Sequence, residues 1–169
     1  MPKKLQKVLD TARAKYVLVS HRIVYTAFDL ATTLRLPLGD VVKTLLIKTD
    51  KGFAIALLSA AQQLDFKKLA KVASAKKITI PKEREMVTRF KVKKGPLASF
   101  GSLYALPVYL DKNLLKKKKA LFSWGSFKES ILLPVKDFIT VEQPTIGMFG
   151  VARKAKAKKK KSVHARRKG

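Results

Sequence analysis

Residues 41–59 read VVKTLLIKTDKGFAIALLS. Two apolar runs, 41–49 and 52–59, flank the turn residues Asp50, Lys51 and Gly52, a pattern that predicts two strands joined as a hairpin. Their nearly unbroken apolar character predicts cover on both faces of the sheet. Lys43 interrupts the first run. A buried ammonium is costly without a partner, so Lys43 is either a fixed functional cation or a side chain that snorkels from an exposed face. Composition alone leaves both readings open.

Working outward, Leu5, Val8, Leu9 and Ala12 recur at helical spacing and predict an amphipathic helix over residues 3–15. Residues 16–20, YVLVS, read as a short strand. Thr26 followed by Asp29 has the form of a helix N-cap with an acidic third residue. That helix should end near Leu36, because Pro37 disfavours helix in the residue before it. Downstream, Asp65 starts a helix with Leu69, Ala70 and Val72 or Ala73 inward, and Pro81 suits the first position of a helix through PKEREMVTR. Residues 91–102, KVKKGPLASFGS, form a Gly/Pro/Ser loop with a basic entrance. Residues 106–110, 120–123 and 131–133 are strand-like, and Pro134 opens a last helix to about Glu142. Helices interleave irregularly with hairpins, which predicts an α+β fold.

The chain has 169 residues, with 38 Lys plus Arg against 11 Asp plus Glu and a net charge of +27. A hydrophobic fraction of 47% supports a real core and excludes wholesale disorder. Every acidic residue precedes position 143, while residues 151–169 hold 10 basic residues and no acid. Residues 1–150 still carry a net +17. The expected organisation is therefore a domain over 1–150 and a basic tail over 151–169 that is disordered alone. A charge of +10 over 19 residues, after a basic body, points to nucleic-acid phosphates. The tail lacks the apolar face that would insert into a membrane. No stretch approaches the roughly 20 apolar residues of a membrane span, and no signal-peptide core follows MPKKLQKVLD, so a cytoplasmic protein is expected.

Familiar catalytic constellations are missing. The absence of cysteine excludes a thiol nucleophile and any Cys-ligated metal. There is no HExxH, P-loop or GxGxxG, and no carboxylate pair has acid/base spacing. His21 is a general base or a structural residue; His164 lies in the tail. Lys43 beside the loop at 95–101 would suit holding a phosphate or stabilising charge on a carbonyl oxygen, with the loop supplying N–H donors.

Order and spacing resemble a known family. The stretch from about Lys15 to Ile146 is similar to the YbaK/prolyl-tRNA-synthetase-associated domain, a group of freestanding or fused aminoacyl-tRNA deacylases. The matching pieces are SHRIVYTAFDLA at 20–31, VVKTLLIK at 41–48, QLDFKKLAKVASAKKI at 63–78, GPLASFG at 95–101, LPVYLD at 106–111 and SWGS at 123–126. The resemblance implies an α+β domain with a mixed, partly barrel-like sheet and packed helices. It implies hydrolysis of the ester between a wrong amino acid and the 3′-terminal adenosine of tRNA, without metal or other cofactor. Lys43 becomes the essential lysine, and Gly95, Leu97, Ala98, Ser99 and Gly101 the substrate loop, with N–H groups at Leu97, Ala98 and Ser99 facing a carbonyl. His21, Tyr25, Thr26, Phe28, Ser123 and Gly125 are candidate pocket residues, and Leu46 belongs to pocket or core. Mischarged tRNA is the implied partner, with an aminoacyl-tRNA synthetase as a further one. Lys154, Lys158, Lys159, Lys160, Lys161, Arg166 and Arg167 are the expected tRNA contacts of the tail.

Two positions depart from the family pattern. Its loop usually runs Gly-Gly-x-x-Pro-x-Gly, and here Pro96 replaces the second glycine and Ser99 the proline. An acidic residue commonly precedes the isoleucine of the penultimate strand, where this chain has Ser130, with Glu129 one residue earlier. The alternatives are a relative that binds tRNA or ribosomal RNA without turnover, and a lysine-rich nucleic-acid-binding protein that uses the fold as a carrier.

Overall fold

The computed structural model describes residues 1–82, 84, 85, 88 and 96–153. Its elements run α1 (Lys3–Thr11), β1 (Val17–Ser20), α2 (Ala27–Leu34), β2 (Val42–Thr49), β3 (Gly52–Ser59), β4 (Gln62–Leu64), α3 (Phe66–Val72) and β5 (Ile78–Thr79). After the loop at 96–101 come β6 (Val108–Asp111), β7 (Lys119–Ser123), β8 (Glu129–Pro134), α4 (Val135–Glu142), β9 (Thr145–Gly147) and β10 (Gly150–Ala152). The helix expected from Pro81 falls largely outside the described residues, as do the basic loop entrance and residues 154–169.

The hairpin organises the rest. β2 and β3 pair antiparallel from Val42 opposite Ser59 to Thr49 opposite Gly52. They are the second and third strands of a mixed sheet ordered β5-β2-β3-β6-β9, in which β6 runs parallel to β3 and β9 parallel to β6. An antiparallel sheet, β1-β8-β7, leans against it, and a parallel bridge between Val41 and Leu121 ties the two together. These sheets meet without closing into a barrel.

Both faces of β3 are covered, as its composition predicts. Ile55 and Leu57 face a core shared with Leu5 and Leu9 of α1 and with Phe100, Phe122 and Phe138. Ala54, Ala56 and Leu58 face the opposite core with Leu69 of α3 and Phe149. A third cluster seats Leu30 and Ala31 of α2 on Val41 and Leu121. Leu46 belongs to the first core and is buried, which settles its role as packing.

Local chemistry fixes most element ends. The Thr26 hydroxyl accepts from the Asp29 N–H at 3.0 Å and donates to the Asp29 carboxylate at 2.7 Å, so cap and third residue satisfy one another. Asp65 caps α3 by accepting from Lys68 N–H. Helix α1 ends four residues earlier than its periodicity predicts. Arg13 turns left-handed at φ 51°, and the Asp137 carboxylate takes the Lys15 N–H at 3.0 Å, drawing the chain out of the helix. β6 starts at Val108 rather than 106, since Pro107 has no N–H for a ladder and the Leu106 N–H bonds back to Gly101.

Sequence reading missed four short strands: β4, β5, β9 and β10. β10 pairs antiparallel with β4, with Ala152 opposite Gln62, and so carries paired backbone two residues beyond position 150. Asp111 secures this pair. It is fully buried, and one of its oxygens accepts from the N–H groups of Phe149 at 2.8 Å and Gly150 at 2.6 Å. Its other oxygen accepts from the backbone and side chain of Asn113, both at 3.0 Å. Asp111→Asn keeps the shape but turns an amide toward donors. It should cost about 2–3 kcal/mol, the scale of one or two buried donors left unmatched. Thermal unfolding should show a melting temperature lowered by roughly 5–10 °C. An unchanged melting temperature would exclude Asp111 as the clasp of β10.

Candidate functional site

A cleft of about 260 Å³ opens where the start of α2, the first residues of β2, the loop at 96–101 and the β7–β8 connection converge. Tyr25, Thr26, Lys43, Thr44, Leu97 and Ser123 all line it, joined by Pro96, Ser126 and Ser130. Four separate segments expected to carry the site are thus brought to one place by the fold.

Lys43 is half-buried, and its Nζ donates to the carbonyl of Gln62 in β4 at 2.6 Å. Removal from water lowers its pKa below the usual lysine value, and the Arg153 guanidinium adds a smaller push in the same direction. That second cation is delivered by β10, whose Ala152 stands opposite Gln62. The strand lysine is thus a half-buried cation at the cleft edge, its ammonium held by a backbone carbonyl. Its acceptor lies on a strand that sequence reading missed.

The substrate loop is pinned from below. Phe100 is fully buried and packs on Phe138 at 5.3 Å and Phe122 at 6.4 Å, and those two rings stack on one another at 4.3 Å. Ala98 and Ser99 are likewise buried, as is Gly101, where any side-chain carbon would overlap the Leu106 carbonyl and Val108. Two of the three expected N–H donors are already used. Ala98 N–H donates to the Tyr104 hydroxyl at 3.1 Å, and Ser99 N–H to the Ser123 carbonyl at 2.8 Å. Leu97 is the member of the three whose N–H has no partner among the described residues, and it lines the cleft. Gly95 lies outside the described residues.

Ser99, at the family's proline position, gains a use that proline cannot have. Its hydroxyl accepts from Ser123 N–H at 3.2 Å and sits 2.7 Å from the Thr44 hydroxyl, cross-linking the loop to β7 and β2. Either hydroxyl of this pair can be the donor; with Ser99 donating, the Thr44 proton is left for the cleft that Thr44 lines. Thr44 was not singled out from sequence; its place beside Lys43 in the strand was the available signal.

His21 does not line the cleft but reaches it through Ser130. Its backbone is fixed by donation to the Lys128 carbonyl at 2.8 Å. Ring nitrogen Nδ1 lies 2.8 Å from the Arg22 carbonyl and Nε2 lies 2.9 Å from Ser130 Oγ. Ser130 is almost fully buried yet lines the cleft. Of the other expected pocket residues, Tyr25 is 75% exposed and packs its ring on Phe127 at 5.1 Å, an aromatic pair at the mouth. Phe28 is exposed on α2 and does not line the cleft. Gly125 does not line the cleft either; it stands at φ 98°, with its N–H donating to Ser123 Oγ at 3.2 Å.

Fold and cleft together describe an α+β domain with a cationic, hydroxyl-rich pocket for a small group. The chain belongs to the aminoacyl-tRNA editing domain family, which it matches over residues 21–141. No curated protein matches the sequence. Among solved structures, a candidate trans-editing enzyme for prolyl tRNA synthetase is 20% identical, with a TM-score of 0.72 over 89% of this chain and 96% of that one. The hypothetical protein APE2540 gives a TM-score of 0.78 at 14% identity, over 88% of this chain and all of the other. A candidate signal transduction protein from Marinobacter aquaeolei VT8 shares the fold over 31% of its own length, with a TM-score of 0.70 at 20% identity. At these identities the structural likenesses speak for the fold. No helix among the described residues is long and apolar enough to cross a membrane.

Proposed function

We propose that the chain is a trans-acting deacylase that hydrolyses the ester joining a wrong amino acid to the 3′-terminal adenosine of tRNA. The observation that carries this reading is the convergence on one small cleft of a tethered cation, Lys43, and hydroxyl donors, in a chain of the editing family. A pocket of about 260 Å³ suits an aminoacyl group and little more. Lys43, with Arg153 close behind, supplies positive charge for the terminal phosphate or for the developing oxyanion. Thr44 O–H and Leu97 N–H are the donors placed to hold the ester carbonyl. Tyr25 and Phe127 offer a ring surface on which the terminal base stacks. Hydrolysis of this kind supplies discrimination that a synthetase cannot reach by binding small apolar side chains alone. Its natural neighbour is an aminoacyl-tRNA synthetase, and its setting is cytoplasmic.

RNA affinity has sources beyond the cleft. The body carries a hollow of about 510 Å³ floored by Leu115, Val135 and Ile139 and rimmed by Lys116, Lys118, Lys119 and Lys136. Lys117 on the same rim is paired with Asp40 at 2.8 Å. We assign this rim and the basic residues from Lys154 onward to phosphate contact.

The test is single-turnover deacylation of a panel of mischarged tRNAs, including Ala, Ser, Thr and Cys esters. At least one should be hydrolysed well above its spontaneous rate. A complete panel at the spontaneous rate would leave an RNA-binding relative without turnover. Pro96 lines the cleft where the family pattern has glycine, so Pro96→Gly should change which ester is released fastest. An unchanged order of rates would remove Pro96 from the specificity pocket. Ser99→Pro is a poor companion to it, because it deletes the N–H bonded to Ser123 and the hydroxyl bonded to Thr44.

A further inference from the structure

Hydrolysis of an ester by water needs a proton acceptor, and the cleft lining holds no carboxylate and no imidazole among the described residues. Its titratable members are Tyr25 and Lys43. A phenol is a poor base, and the Lys43 nitrogen is turned to the Gln62 carbonyl as a donor. One lining residue, however, touches a base outside the cleft. Ser130 Oγ lies 2.9 Å from His21 Nε2.

The direction of that bond follows from the other end of the ring. The Arg22 carbonyl can only accept, so the nitrogen 2.8 Å from it, Nδ1, carries the proton. In the neutral ring Nε2 is then a lone-pair acceptor, and the Ser130 hydroxyl proton points at it. Ser130 itself lines the cleft, and its Oγ keeps its own lone pairs. A buried serine that lines a reaction space, and whose proton is committed to an imidazole, is half of a proton relay. The backbone carbonyl of Arg22 orients the imidazole, a task often given to a carboxylate.

The geometry points to Ser130 and His21 as that relay, a catalytic serine and a positioning histidine, serving the deacylation proposed above and resting on that reading. As water oxygen bonds to the ester carbon, its proton passes to Ser130 Oγ, the Ser130 proton passes to His21 Nε2, and the carbonyl electron pair moves onto oxygen. The imidazolium keeps its Nδ1–H on the Arg22 carbonyl. When the carbon–oxygen bond to the ribose breaks, the leaving 3′ oxygen takes a proton back along the same path. No co-reactant beyond water is consumed. The relay also gives a use to the serine standing where the family pattern has an acid: a hydroxyl can pass a proton on to His21.

His21→Ala and Ser130→Ala should each lower the single-turnover rate by about 10²-fold, with half-saturation by tRNA little changed. The double variant should be no slower than the slower single one, since the two act as a unit. Added imidazole should restore His21→Ala but neither Ser130→Ala nor the double variant, a readout that a merely structural histidine would not give. If His21→Ala does not fold, Ser130→Ala, which removes one oxygen, carries the test. A folded Ser130→Ala protein at wild-type rate, or additive losses without rescue, would overturn the relay while leaving the deacylase reading in place. A wild-type protein inactive on the whole panel would instead defeat that reading. The nitrogen spectrum of His21 is independent of turnover: protonation at Nδ1 in the neutral ring is expected, and protonation at Nε2 would overturn the relay by itself.

Discussion

Lys43→Ala is expected to lower the single-turnover deacylation rate by about 10²–10³, the loss associated with removing one preorganised donor from a partly dehydrated site. The ammonium is held by the Gln62 carbonyl and is half-withdrawn from water. It therefore needs little reorganisation to meet an anionic phosphate or oxyanion. Folding should survive the substitution. The variant leaves one carbonyl of β4 without its partner, a cost of about 1 kcal/mol, and relieves the repulsion between Lys43 and Arg153. Lys43→Arg should not restore the rate, because a planar guanidinium cannot reproduce a compact ammonium at the same point. Single-turnover kinetics alongside circular dichroism would decide it. A folded Lys43→Ala protein with wild-type turnover would remove Lys43 from the site.

Removing residues 154–169 should have its main effect on binding. The cut belongs after Arg153, because an earlier one at Val151 would take away β10 and the cation beside Lys43. The deleted segment holds nine lysines and arginines. With about half of them engaged at once, the slope of log affinity against log salt should flatten by roughly 3–4 units, at about 0.7–0.9 per neutralised phosphate. The effect should appear as a higher half-saturation concentration with an unchanged saturating single-turnover rate. The segment has no aromatic residue to stack on bases, so the loss should be similar for tRNAs of different sequence. Titrating full-length and shortened protein at several salt concentrations separates the outcomes. Equal slopes would refute the arm, and a lower saturating rate would show that these residues help build the site.

Much of the fold was legible because its signals are local. The apolar runs on either side of Asp50, Lys51 and Gly52 specify a hairpin, of which the second strand is covered on both faces while the first opens Lys43 and Thr44 to the cleft; Thr26 with Asp29, and Asp65, mark helix starts by side-chain caps, and Pro134 by its fixed φ, signals that act within a few residues. The short strands were not legible. β4 and β10 have three residues each, too few for a period, and they exist because Asp111, about 40 residues away in the chain, holds the Phe149 and Gly150 amides. The site shows the same division. Lys43 could be picked out as an odd residue in an apolar strand, and the loop by its glycines. What each side chain does depends on distant partners: Gln62 for Lys43, Thr44 and Ser123 for Ser99, and Ser130 for His21. Those pairings join positions 19 to 109 residues apart, and no spacing rule reaches that far.

The pairing of β10 with β4 also sets where the basic segment is attached. Ala152 stands opposite Gln62, the residue that holds Lys43, so the sixteen residues from Lys154 onward are joined to the domain beside the cleft edge. At no more than about 3.6 Å per residue, that many residues reach at most roughly 60 Å from that point. On the proposed reading, an RNA caught by this segment is a neighbour of the cleft before its 3′ end arrives. The second encounter becomes intramolecular, at an effective concentration fixed by tether length instead of by the amount of mischarged tRNA present. Scarce substrate is then gathered without a tighter pocket. On the same reading the segment also retains the RNA after its ester is gone, so it slows departure as surely as it hastens arrival.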